Sequence, residues 1–133
     1  FLVAGTGNKV EDYGVGFFTK YGDGGGDISP IADLLKSEVY ELAEYLGVIS
    51  SIQTAIPNDG LWDDGRSDED QIGATYDELE WALEFFDDHR DKWDSVSLDG
   101  RQQEVMDIYL KRHINNKHKL ETPPVCEIPK GVK

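Results

Sequence analysis

Residues 1–36 read FLVAGTGNKVEDYGVGFFTKYGDGGGDISPIADLLK, and the folding of this stretch decides how the rest of the chain is arranged. Phe1 to Ala4 is a continuous apolar run of the kind found where a parallel sheet buries a strand on both faces. It stops at Gly5-Thr6-Gly7, where residues without a Cβ let the backbone turn sharply and approach a ligand. The run therefore predicts a buried strand that delivers its end to a site. Beyond it, Lys9, Glu11, Asp12, Lys20, Asp23, Asp27 and Lys36 place both signs of charge in a segment with too many glycines for a regular helix or strand. Such a segment predicts a loop built to hold something polar. The short nucleotide motifs do not describe it, because Val10 stands where the dinucleotide fingerprint needs glycine and no Gly-Lys-Ser or Gly-Lys-Thr occurs.

Working outward, Val39, Leu42, Ala43 and Leu46 recur at helical spacing with Gly47 behind them, which predicts a helix from about Lys36 to Leu46. Ile49 to Ile56 mixes apolar and polar residues up to Pro57 and reads as a short strand. Asn58 to Gly65 is turn chemistry and predicts an exposed loop. Ser67 and Thr75 each precede an acid three positions on, the capping-box spacing of two helix starts, and the second helix carries Tyr76, Leu79, Leu83 and Phe86 on one stripe. A polar connection runs to Trp93. Asp99 with Gln102 predicts a third cap, and Val105, Ile108, Tyr109 and Arg112 a helix ending near Asn115. Pro123, Pro124 and Pro129 predict an extended tail.

With 133 residues the chain amounts to one domain and a modest core. A net charge of −14 argues against nucleic acid or an acidic membrane as partner. One cysteine, Cys126, cannot form an internal disulfide, and neither a leader peptide nor a spanning run occurs, so a cytoplasmic location is expected. Charge is uneven: residues 111–133 hold six Lys/Arg against two Asp/Glu, a net +4, which leaves −18 on the first 110. The tail is expected to dock on the acidic body or on a phosphate-bearing ligand.

Two residues carry a chemical argument by themselves. Lys36 falls at a helix start, where a cation opposes the macrodipole, and a phosphate shared with the helix N-terminus would remove the conflict; a solvated lysine is the competing reading. Glu11, five residues past Thr6, is placed to offer an oxygen to Mg²⁺ on nucleotide phosphates, against the commoner surface glutamate.

GTGNKVEDYGVGFFTKYGDGGGDISPIADLLK, IPNDGLWDDGRSDEDQIGATYDELE and HKLETPP together resemble the second half of ammonia-dependent NAD synthetases. The resemblance is dense from Phe1 to Glu84 and thin thereafter, and the long YGDGGGD motif is its most specific part. It implies an α/β, Rossmann-like ATP-pyrophosphatase fold, of which residues 1–133 would form the helix-rich C-terminal portion of a single synthetase domain with few strands. It also implies a ligase reaction in which ATP adenylates the carboxylate of deamido-NAD, pyrophosphate leaves and ammonia attacks. By the same resemblance Thr6, Lys36 and Asn58 fall at ATP-binding positions, Asn58 where the family usually has Thr or Ser. Glu11 falls at a Mg²⁺ ligand, and Lys20, Asp27, His118 and Lys119 at positions that bind deamido-NAD, with Phe17 and Phe18 as apolar walls. The family's Ser-Gly-Gly-x-Asp-Ser loop is absent from this chain, which therefore reads as the later part of a longer enzyme and, alone, as incomplete for catalysis. A homodimer is implied.

Two other readings stay open on the residues. A different ATP pyrophosphatase would explain Thr6, Glu11 and Lys36, though not YGDGGGD or the His-Lys pair. An acidic module holding Ca²⁺ on Asp59, Asp63, Asp64, Asp68, Glu69 and Asp70 fails the EF-hand spacing, since aligning Gly65 with the sixth position puts Gly60 at the first.

Overall fold

A computed structural model describes residues 1–132, apart from the side chains at 91, 93 and 94. The opening run leads into a π-helical turn, Lys9–Val15, followed by α1 (Lys36–Tyr45), α2 (Ser50–Gln53), α3 (Asp68–Ile72), α4 (Tyr76–His89), a 3₁₀ segment (Arg90–Ser95) and α5 (Gly100–Leu120).

The core lies where α4 and α5 pack on the π turn. Leu79, Ala82 and Leu83 of α4 meet Val105, Met106 and Tyr109 of α5, with Val10 and Val15 inserted from the turn. Both helical stripes read from the sequence are the faces that are buried, and Leu79, fully excluded from water, contributes about 2 kcal/mol of transfer free energy. The three caps form as their spacing predicts: Ser67, Thr75 and Asp99 each accept from the backbone N–H three residues on, and Asp70, Glu78 and Gln102 reach back. Gly47 ends α1 at a φ of 70°.

Several expectations need correction. Phe1 to Ala4 is not a buried strand: Phe1, Leu2 and Val3 are exposed, and the run makes a single parallel bridge, Ala4 to Ile28. No further strand lies beside it among the described residues, so neither of its faces is covered. Ile49 to Ile56 contains the short helix α2 in place of the expected strand; Gly47 turns the chain back, and Thr54 closes the single turn by bonding Ser50 O. The glycine-rich loop contains the π turn, whose first residues are held by Asn8 Oδ1 accepting from the N–H groups of Val10 and Glu11. Finally, α5 runs to Leu120 rather than to about Asn115, because His113, Asn116 and Lys119 bond the carbonyls of Gly14, Val15, Gly16 and Phe18 on the loop beneath.

The tail is extended, and residues 121–132 are exposed throughout. Within the basic 111–133 segment, residues 121–132 do not dock on the acidic body, whereas Asn116 and Lys119 bond the carbonyls of Val15, Gly16 and Phe18. Much of the expected positive charge, Lys111, Arg112, Lys117 and Lys119, belongs to α5 instead, and Lys133 lies outside the described residues.

Candidate functional site

The turn after Ala4 and the π turn place Thr6, Gly7, Glu11 and Asp12 on one wall of a cleft of about 150 Å³, with Asn58, Asp59 and Asp68 opposite. Three of the residues read from the sequence, Thr6, Glu11 and Asn58, therefore meet. Gly7 leaves room for the Asp12 carboxylate: a Cβ on it would fall 1.8 Å from Asp12 Oδ2, so that side chain would have to move.

Glu11 is the centre of this wall. Its Oε2 accepts from Asn8 Nδ2 at 2.5 Å, and its Oε1 accepts from Lys36 Nζ at 2.7 Å and from the Tyr76 hydroxyl. The Lys36 and Glu11 side chains are only 17% and 16% exposed. Lys36 also lies 4.8 Å from the centre of the Tyr76 ring. It stands behind Glu11 and does not line the cleft. The conflict between Lys36 and the helix dipole is thus resolved within the chain, since carboxylates cap the start of α1: Glu38 accepts from Leu35 N, and Glu80 accepts from Ser37 N at 2.8 Å and from its hydroxyl at 2.7 Å. No phosphate is needed to satisfy that helix end.

The cleft is strongly acidic. Burial, then the neighbouring carboxylates of Glu11 and Asp23, push the Asp12 carboxyl up to about 6. Burial likewise raises Asp68, whose Oδ2 accepts from Tyr76 while Oδ1 has no hydrogen-bond partner. Tyr76 itself is pushed above its ordinary value by burial and by its acceptor Glu11. Such a wall repels phosphate unless a cation comes with it. It suits Mg²⁺, which takes one or two protein carboxylates and completes its shell with water and phosphate oxygens. Glu11 and Asp68 are the carboxylates whose setting fits that role.

A second cavity of about 480 Å³ adjoins the first, sharing Phe17, Asp23 and Asp59, and is lined also by Phe18, Leu61, Arg112, Asn116 and Lys119. Phe17 and Phe18 are the walls expected for the second substrate, and Lys119 is the basic residue expected beside them. Lys119 Nζ bonds Gly16 O and Phe18 O at 2.7 Å each, and burial lowers its pKa. The structure does not bring Lys20, Asp27 or His118 into this cavity. Lys20 Nζ bonds His118 O at 2.6 Å and also Glu121 O, satisfying carbonyls at the end of α5. Asp27 Oδ2 accepts from Val3 N at 2.8 Å and pins the opening run. The His118 ring bonds Asn115 O on its own helix.

Four of the six acids considered for Ca²⁺ have separate partners: Asp59 accepts from Leu61 N, Asp64 pairs with Arg66, Glu69 accepts from Tyr76 N and Asp70 accepts from Ser67 N. Among the described residues no group of three or more His, Cys, Asp or Glu comes together as a metal cluster, and no helix is long and apolar enough to cross a membrane. Asn8, Asp68, Tyr76 and Arg112 are site residues that the pattern does not reveal as such. Tyr76 reads as core and Asp68 as one acid of the cluster considered for Ca²⁺, and no local signal shows that the two side chains converge on Glu11 from 65 and 57 positions away.

The NAD synthase family model matches residues 1–123. The chain belongs to the NAD synthase family. Over 126 residues it is 42% identical to the NH(3)-dependent NAD(+) synthetase of Methanococcoides burtonii, covering 94% of this chain and 47% of that protein. The synthetase of Archaeoglobus fulgidus is 43% identical over 127 residues, 96% and 47% of the respective lengths. This family member thus spans about half the length of the curated relatives it matches. Among solved structures, NMN synthetase from Francisella tularensis superposes with a TM-score of 0.73 at 35% identity, covering 96% of this chain and 47% of that one. The NH3-dependent NAD synthetase of Campylobacter jejuni, in complex with the nitrate ion, gives 0.65 at 26%, covering 95% and 45%. These neighbours establish an α/β synthetase fold, to which this chain contributes helices almost exclusively.

Proposed function

We propose that this chain is the part of an ammonia-dependent NAD synthetase that holds the triphosphate end of ATP and the acyl substrate side by side. The observation that carries the reading is the pair of adjoining cavities. One is acidic and lined by Thr6, Glu11 and Asn58, the other aromatic and basic with Phe17, Phe18, Arg112 and Lys119, and Asp23 and Asp59 lie between them. The implied reaction needs that layout, because the carboxylate of deamido-NAD must attack the α-phosphorus of ATP before ammonia can displace AMP from the acyl carbon. Pyrophosphate leaves in the first half and AMP in the second. Mg²⁺, when bound, supplies charge to the phosphates as it redistributes. Glu11 and Asp68 would hold it, with Lys36 steadying Glu11 from behind. Thr6 and Asn58 offer hydroxyl and amide hydrogen bonds to the nucleotide. Lys119, held by Gly16 O and Phe18 O, lines the cavity read as that of the acyl substrate; Lys20, Asp27 and His118 lie outside it and are carried as substrate contacts by the family resemblance alone. The complete enzyme is read as an ATP-pyrophosphatase-like, Rossmann-type domain, homodimeric and cytoplasmic.

The superposition on NMN synthetase favours a second reading, in which the amide is formed on a mononucleotide. One experiment separates them: the complete enzyme is given ATP, Mg²⁺ and ammonia with deamido-NAD or with nicotinate mononucleotide, and AMP, pyrophosphate and amide are followed together. Equal amounts of the three with deamido-NAD support the first reading, and turnover with the mononucleotide alone supports the second. ATP cleavage to ADP would overturn both.

A further inference from the structure

Tyr76 is the first residue of α4 and is only 7% exposed. Its backbone is fixed from both sides, by the Thr75 cap before it and by its own N–H donating to Glu69 Oε1 at 2.8 Å. Its hydroxyl lies between two carboxylates, Glu11 Oε1 and, at 3.2 Å, Asp68 Oδ2. A hydroxyl has one hydrogen, so it donates to one of them at a time, and Glu11 is the nearer. Its ring meanwhile underlies Lys36 Nζ at 4.8 Å, within cation–π reach. One buried residue thus touches both charges of the Lys36–Glu11 pair without lining either cavity. Packing alone would be served equally by phenylalanine, and a hydroxyl placed between two carboxylates has no packing purpose.

We propose that Tyr76 is a positioning residue, orienting Glu11 through its hydroxyl and Lys36 through its ring for the metal-bound phosphates of ATP. This rests on the reading above that Glu11 faces Mg²⁺. Groups that orient a metal-binding carboxylate from behind change metal affinity about 10- to 100-fold when removed.

The test uses the complete enzyme as wild type, Tyr76→Phe and Glu11→Gln. Two Mg²⁺ midpoints are measured, one for turnover at saturating ATP and one for the rise in melting temperature with a non-hydrolysable ATP analogue and no acyl substrate. Tyr76→Phe is expected to raise both midpoints about ten-fold or more, and Glu11→Gln to raise them further. If Glu11→Gln shifts the midpoints and Tyr76→Phe does not, Tyr76 is packing only and the proposal is wrong. If neither variant shifts them, the metal reading of Glu11 fails and Tyr76 fails with it. Should Tyr76→Phe not fold, 3-fluorotyrosine at position 76 alone keeps ring and hydroxyl. Its fluorine resonance is expected to move when Mg²⁺ and the analogue are added together, and an unmoved resonance would overturn the proposal.

Discussion

Replacing Lys36 with methionine keeps the length of the side chain and removes its charge. On the sequence alone this change spares folding, and even relieves a helix end of an unfavourable cation. The structure reverses that expectation. Lys36 Nζ sits 2.7 Å from Glu11 Oε1, and both side chains are more than four-fifths removed from water. Losing one partner of a buried pair costs about 3–5 kcal/mol, because the other charge is left without compensation. Here Glu11 keeps Asn8 and Tyr76 as donors, so the expected loss is that of one charge-assisted hydrogen bond, about 1.5–3 kcal/mol. For a chain of this size that lowers the melting temperature by about 5–10 °C. The assay is ligand-free thermal unfolding of wild type, Lys36→Met, Glu11→Gln and the double variant. The cycle is expected to show a coupling of about 1–2 kcal/mol, with Glu11→Gln largely rescuing Lys36→Met. A Lys36→Met variant that melts within about 1 °C of wild type would refute the reasoning and return Lys36 to the role of a solvated cation.

Three further outcomes are expected. The Asp12 carboxyl is raised from 3.8 to about 6, so its contribution to stability is intact below about pH 4 and is lost as pH rises through about 6. Fully felt, that is about 3 kcal/mol; the half-open site screens it to about 1 kcal/mol. Asp12→Asn should therefore be the more stable protein at pH 7 and lose its advantage by pH 4 in denaturant titrations, and equal pH profiles would count against the burial argument. Glu78, hydrogen-bonded to Arg101 and to the Thr75 backbone, is held down at about 2. Its contribution is present above about pH 4.5 and disappears as pH falls through about 2; Glu78→Gln should be less stable at neutral pH and match wild type in strong acid. Gly16 has a φ of 64°, and a Cβ there would lie 2.4 Å from Asn116 Cβ. Gly16→Ala should cost about 2–4 kcal/mol by urea unfolding, since left-handed strain and a clash with the root of a side chain add; a loss below 1 kcal/mol would show that α5 gives way easily.

What the sequence determined by itself was local or specific in pattern. Capping boxes at Ser67, Thr75 and Asp99 and the stripes Tyr76-Leu79-Leu83 and Val105-Tyr109 are short-range chemistry, and they form as read. The YGDGGGD motif pointed to the family, and Thr6, Glu11 and Asn58 do share a cleft. Only tertiary structure decided the rest. Whether Phe1 to Ala4 is buried depends on strands that are not among its neighbours in this chain. The length of α5 depends on carbonyls about a hundred residues away, and the fate of Lys36 on a glutamate 25 positions before it and a tyrosine 40 after. Polar side chains carry no periodicity that names their partners. A pair such as Lys36 and Glu11 is specified by where the backbone brings them, and the backbone is placed by the packing of α4, α5 and the π turn, which no local pattern encodes.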